Sequence, residues 1–297
     1  MHISDTSNHR IVVLDLTSPT NLSIIGAGLG SNVSQLNQPM GLFATKTSLY
    51  VIDMNNDRIQ KISLNDSKPS TLLVFSGLRL SYYLYVVSDD KMYVSYYLNH
   101  TVVLYHPNST NSTVVAGTGV AGSDYNQLNR PYGLFVDRNE TLYVADRLNH
   151  RIMKWFSGAT AGLIVAGNGT PGADATQLYS PSQVIVDTNG YMYITESVYS
   201  RITRWAPNST FGVCIAACTR GNGIASNQLN RPHGLAFDSH ESIYVNDRLN
   251  NRIQKFIISV NRYGEFHTGY SYRVLITFQN IVQTSQQYYF PDFVLIS

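Results

Sequence analysis

Residues 142–152 read LYVADRLNHRI: an alternating apolar run, an acid, a tight polar turn, then Arg-Ile opening a second run. Near-copies begin at Met1 (MHISDTSNHRI), Leu49 (LYVIDMNNDRI), Met92 (MYVSYYLNHTV), Met192 (MYITESVYSRI) and Ile243 (IYVNDRLNNRI). Starting from Met1, the steps between successive copies are 48, 43, 50, 50 and 51 residues. A fixed period in this range marks an array of one supersecondary unit.

The fourth unit shows what the unit is. Strand A runs from Pro131 to Asp137, strand B from Leu142 to Asp146, strand C from Arg151 to Phe156 and strand D from Leu163 to Ala166. Short turns join them, and a Gly-rich linker leads to the next Pro at 181. Four short antiparallel strands per unit predict a propeller blade. The expectation is an all-β chain, a six-bladed β-propeller occupying residues 1–297 as a single domain. The chain opens at strand B of its first unit, with strand A missing. Its last residues repeat the opener spacing, with Gln287 four before Pro291 as Gln127 is before Pro131. The C-terminal strand is therefore expected to pair with the N-terminal blade and close the ring, removing two sheet edges. Residues 257–286 are the least repeat-like.

Composition narrows the function. The net charge is +2 and only 13% of residues are charged, which argues against DNA and strongly basic nucleic-acid binding. No apolar run approaches the roughly 20 residues of a membrane-spanning helix. No long 3.6-period segment occurs, so helix should be scarce. Nine Asn-x-Ser/Thr sequons, at Asn21, Asn32, Asn65, Asn99, Asn108, Asn111, Asn139, Asn168 and Asn208, exceed chance and suggest an extracellular or secretory-pathway glycoprotein. Cys214 and Cys218 admit two readings, a local disulfide across a turn or two buried thiols on an outer strand.

The Asp-x-x-Asn-His-Arg-Ile turn, the Tyr-Val-Ala-Asp strand before it and the Pro-x-Gly-Leu opener resemble NHL repeats. The Asn-His turn appears as Asn8-His9-Arg10, Asn99-His100-Thr101 and Asn149-His150-Arg151. The resemblance runs along nearly the whole chain and implies a propeller. It implies less about function, because NHL propellers include partner-binding modules of ubiquitin ligases, some of them RNA-binding, extracellular sensor domains and a peptidyl-hydroxyglycine amidating lyase.

The repeated polar residues read first as structure. Asp5 with Arg10, Asp53 with Arg58, Asp146 with Arg151, Glu196 with Arg201 and Asp247 with Arg252 flank one hairpin turn each. The third unit loses both members together, as Tyr96 and Thr101. Joint loss is what a physical pair predicts, so each pair is expected to clip its own hairpin. His9, His100 and His150 hold equivalent positions and so spread around a ring, whereas zinc ligands converge on one point, about 2 Å away. They read as turn stabilisers. The lyase resemblance implies inward histidines, and only His233 stands at an opener position. Gly117-Thr-Gly119-Val-Ala-Gly122 and Gly167-Asn-Gly169-Thr-Pro-Gly172 match a dinucleotide fingerprint, but no helix follows, so they read as linkers. No catalytic residue, metal site or cofactor is expected.

Strand order puts D–A linkers and B–C turns on one face, here called top, and A–B and C–D turns on the other. The bottom carries Asp89, Asp90, Asp137, Glu140, Asp187, Asp238 and Glu241 and most sequons. The top carries Arg130, Arg147, Arg231 and Arg248, with Tyr132 and His233 beside the channel mouth. These six are the expected contacts for a protein or peptide partner. Single-stranded RNA would use the same chemistry. A metal-dependent lyase or lactonase-like hydrolase is the enzymatic alternative.

Overall fold

The computed structural model describes residues 1–16, 22–65, 69–74, 80–88, 90–107, 112–219, 221–261, 273–283 and 294–295. Their strands form six four-stranded antiparallel sheets, with no α-helix among the described residues. In the fourth sheet the order is Pro131–Val136, Leu142–Asp146, Arg151–Trp155 and Leu163–Ala166, within a residue of the strands read from the sequence. The fifth repeats it with Pro181–Val186, Met192–Glu196, Arg201–Trp205 and Gly212–Ala216. The second and third sheets begin at Pro39–Ala44 and Ser81–Ser88. In the sixth, Leu235–Phe237 and Ile243–Asp247 lead into a long hairpin, Arg252–Asn261 against Arg273–Gln283. Much of the stretch that looked least repetitive thus supplies strands C and D. In the first sheet, His2 and Ile3 pair antiparallel with Leu295 and Val294. The rest of the expected closing strand lies outside the described residues.

The innermost strands pack on one another. Pro131–Val136 lies against both Ser81–Ser88 and Pro181–Val186, and Val294–Leu295 touches both Leu235–Phe237 and Pro39–Ala44. Close approach here demands glycine: a Cβ on Gly133 would sit 2.5 Å from the Ser182 carbonyl oxygen, and one on Gly41 2.8 Å from that of Tyr82. Between sheets the core is aliphatic and aromatic, with Ile11, Leu42, Leu49, Ile59, Val144 and Ile152 all fully buried.

The acid–arginine pairs tie more than a hairpin. Asp146 and Arg151 face each other in register, and Arg151 Nε donates to Asp146 Oδ2 at 2.7 Å. Arg151 Nη1 then reaches the Ser123 carbonyl (2.7 Å), and Nη2 those of Asp124 and Gln127 (both 3.1 Å), all in the incoming linker. Asp146 also accepts from the Asn129 backbone and the Asn149 side chain.

In the second sheet Arg58 extends its expected role in the same way. Arg58 Nε donates to Asp53 Oδ2 at 2.7 Å, Nη1 reaches the Ser31 carbonyl (2.7 Å), and Nη2 those of Asn32 and Gln35 (both 2.8 Å). Arg58 is thus buried between a hairpin and a linker, where the sequence placed it on the hairpin alone. Arg252 reproduces the network with Asp247 in the sixth sheet. Glu196, one methylene longer, takes both Nε and Nη2 of Arg201, which keeps one linker carbonyl, Ala173. The Asp5–Arg10 pair is the most exposed, with Arg10 38% exposed. In the third sheet Tyr96 and Thr101 take the positions of the pair, and the Tyr96 hydroxyl bonds that of Tyr105, four residues further along strand C.

The same network explains the glycine-rich linkers. Gln127, Gln177 and Gln228 fold back so that their carboxamides lie where a Cβ on Gly122, Gly172 or Gly223 would be, within 2.0 Å. The third glycine of each apparent fingerprint serves this contact.

Burial is the largest influence on the Asp146, Glu196 and Asp247 carboxyls and raises them above the usual range, while the surrounding donors pull them down. A buried pair of this kind is costly to break on one side only. Arg151→Met is expected to destabilise by about 3–5 kcal/mol in urea unfolding, and Asp146→Leu added to it should restore part of the loss, because no uncompensated carboxylate is left.

Candidate functional site: the top mouth of the axis

The top face is built by turns that reach from sheet to sheet. His9, His100 and His150 hold left-handed backbone (φ 55°, 55° and 53°) at the end of their B–C turns. Each ring accepts, at Nδ1, the backbone N–H of the residue preceding the next sheet's opening proline: Gln38 (3.0 Å), Arg130 (3.1 Å) and Ser180 (3.2 Å). Ser200 Oγ does the same for Arg231 at 3.0 Å. The four receiving residues also have positive φ, 47–55°, which costs a non-glycine residue about 1–3 kcal/mol and persists where neighbours fix it. The histidines are therefore inter-sheet ties that work only while Nδ1 is unprotonated.

Strand A's second residue lines the top of the axis. Tyr132 and His233, from the fourth and sixth sheets, share a hydrogen bond at 3.0 Å across the mouth. Both are buried, 2% and 4% exposed. Tyr82 of the third sheet stacks on Tyr132 with ring centroids 4.8 Å apart, and Tyr97 meets both rings edge-on. Above this plug the Arg147 guanidinium covers the Tyr132 ring at 4.8 Å and Arg130 the Tyr97 ring at 5.3 Å, with Arg130 Nη1 3.4 Å from the Tyr97 hydroxyl. Each cation–aromatic contact contributes on the order of 1 kcal/mol and leaves the guanidinium edge facing solvent.

Four of the six expected contacts thus meet: Arg130, Tyr132, Arg147 and His233. Arg231 stands exposed two residues before His233, held through its backbone. Arg248 occupies the sixth-sheet turn position equivalent to Arg147, and its Nε is buried without a hydrogen-bond partner. Among the described residues none of the four arginines has an ion-pair partner. Among the described residues, the acids of this face outside the repeated ion pairs are Asp57, Asp124 and Asp174. Tyr82 and Tyr97 were missed in the sequence because the third unit opens with Ser81 rather than proline. Aligned on Leu84, Tyr82 falls at the Tyr132 position and Tyr97 at the Arg147 position.

On the bottom, most described acids are engaged. Asp137, Asp187 and Asp238 accept the N–H groups of their own A–B turns. Asp90, Glu140 and Asp238 pair with Lys61, Lys91 and Lys255. Asp89 and Asp292 lie outside the described residues, as do the sequons at Asn21, Asn108 and Asn111. The sequon asparagines 32, 65, 99, 139, 168 and 208 are exposed. Cys214 and Cys218 form a disulfide, with Cα atoms 5.8 Å apart. Among the described residues, no three His, Cys, Asp or Glu side chains cluster as metal ligands do, and no helix is long and apolar enough to cross a membrane.

Comparison with known proteins agrees with this geometry. The NHL repeat family matches residues 229–256, the sixth-sheet opener and its B–C hairpin. No curated protein sequence matches the chain. Among solved structures, a chain from the crystal structure of a nidogen/laminin complex superposes with a TM-score of 0.64 at 15% identity, over 86% of this chain and 88% of that one. A streptogramin B lyase superposes at 0.54 with 14% identity, over 81% and 68%. Virginiamycin B lyase from Staphylococcus aureus does so at 0.52 with 14% identity, over 84% and 71%. At such identities the likeness is one of fold.

The histidine ties set a pH dependence. Burial depresses His100 and His150 below the ordinary histidine value, with Arg130 adding to the effect at His100. A group depressed in the folded state contributes stability that is full above its unfolded value, about 6.5, and lost as pH falls towards the folded one. Stability in urea should therefore drop between pH 7.5 and 5. A His100→Ser/His150→Ser variant, copying Ser200, should flatten that slope, leaving a remainder from His2, which burial holds at about 4.

Proposed function

We propose that this NHL-type β-propeller is a closed ring of six blades that binds an acidic protein or peptide segment across its top mouth. The observation that carries this reading is the Tyr132–His233 bond beneath Arg147. It shuts the axis from above and presents cations on a rigid aromatic floor. Such a surface suits carboxylates lying across it. It does not suit chemistry inside the channel, because the inward histidine is buried and engaged by Tyr132. Base stacking is disfavoured at Tyr132, whose ring is already occupied by Tyr82 and Arg147. Partner binding is accordingly favoured over the RNA and the lyase or hydrolase readings.

The disulfide and the exposed sequons support an oxidising, secretory setting for the chain. A partner would then be an extracellular protein.

The test compares the unmodified protein with a variant carrying Arg130→Glu, Arg147→Glu, Arg231→Glu and Arg248→Glu, against Glu/Asp-rich peptides and short single-stranded RNAs. Peptide binding that weakens with salt and falls at least tenfold in the variant is the expected outcome. Unchanged peptide affinity in a folded variant, or affinity for RNA alone, would overturn the proposal.

A further inference from the structure

The opposite end of the same axis holds a well that the top-face reading does not use. Strand A's fifth residue points there in the second to sixth sheets: Phe43, Tyr85, Phe135, Ile185 and Ala236. The first three form an aromatic belt, with Phe43–Tyr85 centroids 4.7 Å apart and Tyr85–Phe135 5.5 Å apart. The fifth and sixth sheets then supply smaller groups. What Ile185 and Ala236 lack beside the three rings is left as a cavity of about 160 Å³. The belt is half-buried, so the cavity opens to solvent.

One wall is polar. Gln183, on the fifth sheet's strand A, lines the cavity and is only 2% exposed. Its amide oxygen is buried without a donor, and the side chain makes no hydrogen bond with the described residues. A buried amide left unpaired is costly, so a group that pairs with it recovers free energy that purely apolar contact cannot. An apolar cavity of about 150 Å³ is known to take up benzene. The dimensions and the amide without a partner together specify the occupant.

We infer that the bottom end of the axis is a binding site for a single-ring aromatic molecule bearing one hydroxyl, the ring seated on Phe43, Tyr85 and Phe135 and the hydroxyl paired with the Gln183 amide. A phenolic hydroxyl can accept from the amide N–H, the end left to the cavity because the amide oxygen packs on Gly133. The site is independent of the arginine-rich face and stands or falls separately from it.

Phenol and toluene are the probes, titrated into the purified full chain by NMR. Phenol should bind saturably and about tenfold more tightly than toluene, the ratio one recovered hydrogen bond supplies. Gln183→Met should bring the two affinities together. Ala236→Phe fills the cavity and should abolish binding of both, while circular dichroism and thermal unfolding confirm the fold. Ile185→Phe is the second filling variant. Should neither filling variant fold, intermolecular NOEs from phenol to the Phe43 and Phe135 rings of the unmodified protein decide the matter. Absent saturable binding, equal affinities, binding that survives a folded Ala236→Phe variant, or absent NOEs would each overturn the assignment.

Discussion

The recurring tie of this molecule is a guanidinium that is shared between a hairpin and a linker. In the second, fourth and sixth sheets, as Arg58, Arg151 and Arg252, its Nε fixes the carboxylate opposite, and its two terminal nitrogens hold three carbonyls of the chain arriving from the previous sheet. A linker without secondary structure would otherwise leave those carbonyls to water and the next sheet free to tilt. Arginine is the side chain that can do this. It offers five donors in a fixed plane and stays charged when buried, which lysine does not. The pair is costly to desolvate, so its contribution lies in specifying one arrangement of sheet against linker more than in raw stability.

The strands were legible because their signal is local. Alternation, an acid and a turn recur within eleven residues, and the fourth-sheet boundaries follow from them to within one position. The pairing of Asp with Arg was legible from their joint loss in one copy. What the arginine does with its other two nitrogens was not, since linker carbonyls have no identity in a sequence. The histidines were read as turn residues. Their reach to the following sheet could not be read, because it depends on how blades sit side by side. The mouth was half legible. Arg130, Arg147, Tyr132 and His233 converge, while Tyr82 and Tyr97 hid in the one unit whose opener departs from the pattern. The bottom well was not legible at all, being defined by the sizes of five residues spread over about two hundred positions.

The two ends of the axis divide their chemistry. Above, an inward phenol and imidazole bond each other across the top of the axis. Below, the row that could close it runs out of bulk at Ile185 and Ala236 and leaves an amide without a partner. On the periphery of the bottom, most described carboxylates that looked available are turn caps or lysine partners.

The third sheet has a significance beyond its missing ion pair. Tyr96 stands at the end of its strand B in place of an acid and bonds the Tyr105 hydroxyl further along strand C. Its turn is then released from a duty that the other copies share. The asparagine that elsewhere binds the carboxylate becomes an exposed glycosylation sequon at Asn99, and the neighbouring position carries Tyr97 into the mouth. In an array of equivalent units, the copy that finds a second way to hold itself together is the one free to specialise. The aromatic floor of the top face is built on that redundancy.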